Sequence, residues 1–474
     1  MSIDHLGERA PLMGSALSSV GVPPHGNGDG HASPRQSQST VSLFLDSEYT
    51  QGLDSQNCVL RYLVHPWHVI KVTFLSSYAN FLLVMVPVGI VAGGQGWNPT
   101  AVFTINFLAI IPLAAVMSFA TGEISPKLGG ILGGLLNATF GNAVELIVSI
   151  IALKEKHIDI VQASMLGSIL SNLLLMMGMC FLFGGVIHRG PTGNGTEQVF
   201  SSATAQTTCS LMALSSASLI IPAILFAILD QSGFGDKDKS ILTLSHGTAI
   251  ILLLLYVLYL VFQLRTHSNL FDAENQNSDE REEPEEPEEP EEPEEPSLGI
   301  IGAVAVLIAT TIMVAICADY LVGSINSLAE TSGLSRAFIG LILIPIVGNA
   351  AEHVTAVVVA IRDKMDLAMS IAVGSSIRIS LLDTPFLVIV SWALGSDMSF
   401  HFETFQTVVF LVSVVVVTCT VKDGKANYLE GAMLLGLYAI IALAFLVIPS
   451  SLVSGELQAS EDASITHPAF SHAS

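Results

Sequence analysis

Two short segments of this 474-residue chain carry residue types suited to holding an ion. Gly141-Asn142-Ala143-Val144-Glu145 recurs as Gly348-Asn349-Ala350-Ala351-Glu352, an offset of 207 residues, and the same offset carries Gly167-Ser168 onto Gly374-Ser375 without a gap. Two matched segments in one register indicate an internal duplication. Glu145 and Glu352 lie inside otherwise apolar runs, where an unpaired charge is costly enough to be a functional candidate by default. On a helix Asn142, Glu145 and Ser149 share one face, as do Asn349 and Glu352, so each copy presents an amide and a carboxylate to one stripe.

Gly141 and Gly348, at the start of these segments, let the backbone bend or unwind and expose carbonyls at mid-membrane. Two carboxylates, two amides and hydroxyls such as those of Ser168 and Ser375 make a hard oxygen site of the kind Ca²⁺ takes, with six to eight oxygen ligands. The same carboxylates imply coupling. Burial disfavours the charged form of a carboxyl and a neighbouring carboxylate disfavours it further, so an empty site holds protons, whereas a divalent cation reverses the preference. Cation and protons then compete for Glu145 and Glu352, which is exchange.

These residues need apolar helices to position them, and the composition supplies them. Hydrophobic residues make up 51% of the chain and charged residues 12%, against about 25% charged in soluble domains; a soluble enzyme is thereby disfavoured. A bilayer core requires about 20 apolar residues per helix, and eleven such runs can be counted, near 70–93, 101–120, 129–153, 161–187, 205–229, 242–263, 298–322, 337–361, 367–392, 403–421 and 428–449. The expected fold is an all-α polytopic membrane protein of eleven transmembrane helices, one leading helix plus two inverted five-helix repeats, because an odd number of spans per copy reverses the second copy. The expected division is a disordered cytosolic tail over 1–68, a first transmembrane helix over 69–94, the first repeat over 95–265, an acidic linker over 266–297, the second repeat over 298–450 and a C-terminal tail over 451–474.

The formal net charge of −23 is concentrated rather than spread. Fourteen acidic residues between Asp272 and Glu295 face one base, Arg281. The core of that stretch repeats Glu-Glu-Pro, and a proline every third residue rules out an α-helix; it reads as a solvated linker, with polyproline II as its local form. Nucleic acid is excluded as a partner by the sign of the charge. An N-inside arrangement puts twelve of the eighteen Lys and Arg residues on the cytosolic side and five (Lys154, Lys156, Lys237, Lys239, Arg336) on the other, with Arg378 inside a span. That bias favours a cytosolic N-terminus. The five cysteines have no metal-type spacing and read as buried small hydrophobes. His157 and His188, at loop edges, read as solvated, and the sequon Asn194-Gly195-Thr196 falls on the cytosolic side, where it goes unused.

The stretch Gly133-Gly134-Leu135-Leu136-Asn137-Ala138-Thr139-Phe140-Gly141-Asn142-Ala143-Val144-Glu145, continued by Val161-Gln162-Ala163-Ser164-Met165-Leu166-Gly167-Ser168 and Ser171-Asn172, resembles the first signature of the cation/proton exchanger family, specifically the vacuolar calcium/proton exchangers. Gly348-Asn349-Ala350-Ala351-Glu352-His353-Val354-Thr355-Ala356 and Asp363-Lys364-Met365-Asp366 resemble the second. The resemblance runs from about Leu75 to about Pro449. It implies an eleven-helix exchanger in the vacuolar membrane, with the two signature glutamates as the shared Ca²⁺ and proton site, Ca²⁺ and H⁺ as transported ions and no resident cofactor. His353 is part of the second signature and is read as a proton relay or as a packed, hydrogen-bonded helix residue.

The chain departs from that pattern at named positions. Arg378 stands where the family has Gln, on the Ser375 face of its helix, and Asp383 replaces an apolar residue nearby. A guanidinium there can pair with Glu352 or Glu145 and occupy the cation's place electrostatically, and Asp383, about 140° away on an ideal helix, can reach it only through a local distortion. Glu123, preceded by Gly122 where a second acid is usual, and Asp319, retained as an acid, complete the selectivity or gating candidates. The leading reading is exchange of cytosolic Ca²⁺, or another divalent cation, for lumenal protons. The alternative keeps the exchanger fold but has Arg378 alter selectivity or impair transport, leaving a regulator. An intramembrane enzyme is disfavoured, since paired Asp, zinc spacing and a Ser with an evident base are all missing from the sequence. The topology makes a prediction: protease added from the cytosolic face cuts the N-terminal tail and the Glu-Glu-Pro linker, and cuts the segment after Pro449 only once the membrane is permeabilised. Cleavage of linker and C-terminus from one side would mean that a span has been miscounted.

Overall fold

A computed structural model describes residues 58–188, 197–200, 202–232, 235–266 and 298–448. Most of the expected N-terminal tail, the Glu-Glu-Pro linker, the sequon at 194–196 and the C-terminal tail lie outside the described residues. Within them the fold is helical, apart from one antiparallel pair of two-residue strands, Gln198–Val199 with Lys425–Ala426.

Among the described residues eight helices are long and apolar enough to cross a bilayer: Pro99–Leu128, Ile158–Ile187, Cys209–Gln231, Lys237–Thr266, Ile300–Ser332, Met365–Leu394, Thr404–Val421 and Tyr428–Val447. Two further stretches are bent pairs, Pro66–Leu75 with Ala79–Gly94 at 115° and Arg336–Gly348 with Ala350–Ile361 at 58°, which raise the count to ten if each pair is one span. The apolar stretch 129–153, in which Gly141 is expected to let the backbone bend, forms two helices, Gly130–Phe140 and Ala143–Lys154. The interruption falls on the duplicated Gly-Asn steps. Asn142 (φ −107°, ψ 16°) and Asn349 (φ −100°, ψ 3°) both adopt the sparsely populated bridge conformation, and asparagine is a weak helix former whose side chain competes for backbone bonds.

The duplication extends to the backbone. Ala143–Lys154 and Ala350–Ile361 stand 207 residues apart at both ends, as do Met177–Ile187 and Thr384–Leu394. Among the described residues the two non-glycine positions with positive φ, Lys156 (61°) and Asp363 (60°), occupy equivalent turns. Each copy then carries a π-helical turn at the same depth, Ser171–Met176 in the first and Ile379–Asp383 in the second; such turns recur at functional sites because they re-aim side chains.

Burial separates central from peripheral helices. In Ile158–Ile187 72% of the most apolar window is buried, against 17% in Lys237–Thr266. Leu258, Ile301, Ile440 and Val447 project outward from peripheral helices, as expected where the surrounding solvent is lipid. Cys419, expected to be buried, is on such an outward face, whereas Cys180 and Cys317 are buried: lipid satisfies an apolar thiol as well as a protein core does.

Close crossings depend on glycine. Ile300–Ser332 lies along Pro99–Leu128, and Tyr428–Val447 along Met177–Ile187. In the second pair Gly431 meets Gly178, and a Cβ at 431 would come within 2.3 Å of the Leu182 nitrogen and 2.7 Å of the Gly178 carbonyl oxygen. These are backbone atoms that cannot swing aside, the small-residue packing by which membrane helices associate. Gly431→Ala is therefore expected to lower the thermal midpoint of the detergent-purified protein, overpacking costing about 1–3 kcal/mol. Gly436→Ala, on the same helix with open space around it, is the control that leaves the midpoint in place. Equal midpoints for both variants would contradict the crossing.

Candidate ion site at the two helix breaks

The breaks bring the two copies face to face. Glu145, in the first turn of Ala143–Lys154, is 2% exposed and neither of its carboxylate oxygens has a hydrogen-bond partner. Its side chain lies over Gly348, 3.8 Å from where a Cβ would stand, with Phe107, Ile110, Leu321, Ile344 and Val347 walling the space around it. An ionised carboxylate left in such surroundings has lost its water and gained nothing. The positive end of its helix gives partial compensation only.

Glu352, the counterpart, is fully engaged. One oxygen pairs with Arg378 Nη2 at 3.2 Å and the other accepts from Ser375 Oγ at 2.8 Å. Of the alternatives open in the sequence, Arg378 therefore pairs with Glu352. Its guanidinium presses against Gly141, where a Cβ would fall 2.6 Å from Nη1. The π turn is the local distortion that Asp383 requires, since i to i+5 bonding brings residues five apart toward one face. Asp383 nevertheless meets a different partner: Asn142 Nδ2 donates to Asp383 Oδ2 at 2.9 Å, across 241 residues of chain.

Further polar groups extend the cluster. Ser375 Oγ lies 3.5 Å from Asn142 Oδ1 and accepts from Asn172 Nδ2 at 3.1 Å. His353 is buried, with its Nε2 3.3 Å from Asn172 Oδ1 and 3.4 Å from Ser171 Oγ, so it joins the second motif helix to the first π turn. Ser168 Oγ and Asn349 Nδ2 are buried without partners, as are the hydroxyls of Ser149 and Ser164. Asn172 and Ser164 were not singled out as site residues in the sequence, although Ser164 and Ser168 stand four apart on one helix face, which is the signal that would have found the former.

Two candidates lie elsewhere. Glu123 accepts from the Leu298 backbone N–H at 2.8 Å and Lys127 bonds the Leu298 carbonyl, which anchors the start of Ile300–Ser332. Asp319 is exposed on that helix. Both histidines expected to be solvated are bonded. His157 Nδ1 accepts from Arg336 Nη2 at 2.9 Å, burial and the Arg336 charge together pushing its pKa down, and Arg336 also pairs with Asp159. His188 bonds the Gly184 carbonyl.

The surroundings of the site are asymmetric. A Cβ at Gly167 would lie 2.1 Å from the Leu341 carbonyl oxygen, so Ile158–Leu170 and the half-helix before Gly348 are sealed together. At the equivalent Gly374 nothing stands within 4 Å, and Gly134, the counterpart of Leu341, approaches Leu264 instead. Glu352 and Arg378, on the open side, retain 19% and 18% side-chain exposure.

Among the described residues no three His, Cys, Asp or Glu side chains converge as a metal cage. The arrangement is instead a carboxylate with two orphaned oxygens in an apolar space, while the unpartnered Ser168 hydroxyl and Asn349 amide nitrogen lie on neighbouring elements.

The sequence profile of the sodium/calcium exchanger protein family matches residues 98–265 and 302–447. A vacuolar calcium ion transporter of Schizosaccharomyces pombe is 44% identical over 416 residues, spanning 88% of this chain and 95% of that protein. A Ca²⁺/H⁺ antiporter of Synechocystis is 44% identical over 372 residues, 78% of this chain and 97% of its own. The solved structure of native YfkE superposes with a TM-score of 0.64 at 34% identity, covering 78% of this chain and all of that one. On this evidence the chain belongs to the sodium/calcium exchanger protein family.

Proposed function

We propose that this protein exchanges Ca²⁺ for protons across a vacuolar membrane, with Glu145 as a carboxylate that both ions use. The observation that carries the reading is the buried Glu145 carboxylate, whose two oxygens have no partner within the protein. A carboxyl in that position is satisfied by a proton or by a cation, and the two exclude one another. Asn142, Asn349, Ser168 and Ser375, on the elements that meet at the breaks, are the neutral oxygens proposed to join it on the cation, and His353 holds Asn172 and Ser171 in place beside the Ser375 hydroxyl. The relatives named as vacuolar calcium transporters and Ca²⁺/H⁺ antiporters support the substrate and the membrane.

The broken stretch 130–154, added to eight unbroken helices and two bent pairs, supports a count of eleven spans. The 207-residue recurrence supports a leading helix followed by two five-helix repeats of opposite orientation, over 95–265 and 298–450. Loop contacts support the sidedness. On one face the strand pair, the Lys425–Glu197 ion pair and the Gln198–Asp363 hydrogen bond join loops assigned to the cytosol. On the other, Arg336 pairs with Asp159, and Gln162 bonds the Ser399 and His401 carbonyls. In this reading the repeats rock against each other, and the open flank of Gly374 is the cytosolic entrance.

The test is ⁴⁵Ca²⁺ uptake into acid-loaded proteoliposomes. Uptake is expected to collapse on addition of a protonophore, and Glu145→Gln, which preserves shape but cannot exchange a proton, is expected to reduce it at least about tenfold, or about 1.4 kcal/mol. Undiminished uptake without a pH gradient would reject exchange, and undiminished uptake by a folded Glu145→Gln variant would reject the role of Glu145.

A further inference from the structure

Three carboxylates and one guanidinium share the cluster at the breaks: Glu145, Glu352, Asp383 and Arg378. Their formal charges leave two negatives, the complement of one divalent cation, and the geometry decides which two. Glu352 has an oxygen on Arg378 at 3.2 Å and an oxygen on Ser375 at 2.8 Å, so both its oxygens are committed. Arg378 is wedged against Gly141. The duplication explains why that position matters. Glu145 lies over Gly348, whereas at the equivalent Gly141 the side chain in that position is the Arg378 guanidinium.

The remaining two carboxylates differ in this respect. Glu145 has no bonded oxygen, and Asp383 accepts a hydrogen bond from Asn142 Nδ2 at 2.9 Å. They are 2% and 1% exposed. Asn142, three residues before Glu145 and bonded to Asp383, belongs to both. Among the described residues no Lys, Arg or His side chain pairs with Glu145 or Asp383, and Arg378, the cationic side chain of the cluster, is spent on Glu352.

We infer that Arg378 is a tethered cation that takes Glu352 out of the ion site, and that the transported divalent cation is held instead between Glu145 and Asp383, with Asn142, which bonds Asp383 and precedes Glu145 by three residues, as a neutral neighbour. The inference rests on the reading that this chain carries a divalent cation. It moves the centre of the site from the Glu145–Glu352 pair toward the second π turn, which is the element that presents Asp383. It also makes the pair of departures at 378 and 383 a single change: one positive and one negative charge are added, and the net charge available to the cation stays the same.

The test separates the two placements by equilibrium ⁴⁵Ca²⁺ binding to the purified full-length protein, which requires no transport. Removing the tethered pair together, in Glu352→Gln/Arg378→Gln, is expected to leave the affinity within about threefold of wild type, while Asp383→Asn lowers it about tenfold or more, as Glu145→Gln does. Loss of binding in a folded double variant, or wild-type affinity in Asp383→Asn, overturns the assignment. Where the double variant does not accumulate, Asp383→Asn decides alone, its unfolding temperature in the absence of Ca²⁺ being the check on its fold. Wild-type protein that binds Ca²⁺ but shows no gradient-driven uptake removes the exchange reading and leaves the site standing. Wild-type protein that binds none removes the site.

Discussion

A carboxylate cannot remain charged in an apolar layer without a counter-charge, and the centre of this protein is organised around that constraint. Glu145 and Glu352 are set at matching depth by two helix breaks and answer it differently. Glu352 is matched within the protein by Arg378 and Ser375. Glu145 is left with no internal partner, in a space lined by apolar side chains. An unsatisfied group of this kind is stable only if an ion or a proton completes it, so the same defect that costs folding energy creates the demand for a ligand.

The breaks depend on residues that are poor at continuing a helix. Asn142 and Asn349 take the bridge conformation, and the glycine before each leaves room for a side chain from the other copy. Gly141 accommodates Arg378 and Gly348 accommodates Glu145. The two copies share their backbone plan down to the left-handed turns at Lys156 and Asp363, but diverge where Ser171 in one corresponds to Arg378 in the other. A duplicated scaffold has thus been given unequal chemistry on largely shared backbone elements.

Much of this was legible in the sequence. The offset of 207 residues, the intramembrane glutamates and the apolar runs identify a duplicated membrane helix protein, and the face shared by Ser375 and Arg378 leaves the guanidinium either Glu352 or Glu145, of which it takes Glu352. The π turns were not legible, because a single inserted residue does not disturb hydrophobic periodicity in a segment that is buried all round. Without them Asp383 points away from the site, and its bond to Asn142 joins residues 241 apart, which no local pattern encodes. The glycines at 141 and 348 announced the breaks, but the bridge conformations of Asn142 and Asn349 that form them were not legible, since composition measures whether a segment can cross a bilayer and not the backbone angles at one residue. The partners of His157 and Glu123 likewise come from the opposite half of the chain.

The unequal packing of Gly167 and Gly374 has a consequence for how the protein is balanced between arrangements. The first glycine is in contact with backbone and the second faces open space, so a methyl group is felt here at 167 and goes unnoticed at 374. In an arrangement where the flanks exchange roles, the penalties exchange as well. The two positions therefore act as opposed set-screws on one equilibrium, and the smallest side-chain increment available to a protein, a single carbon, shifts occupancy in either direction without touching a ligand.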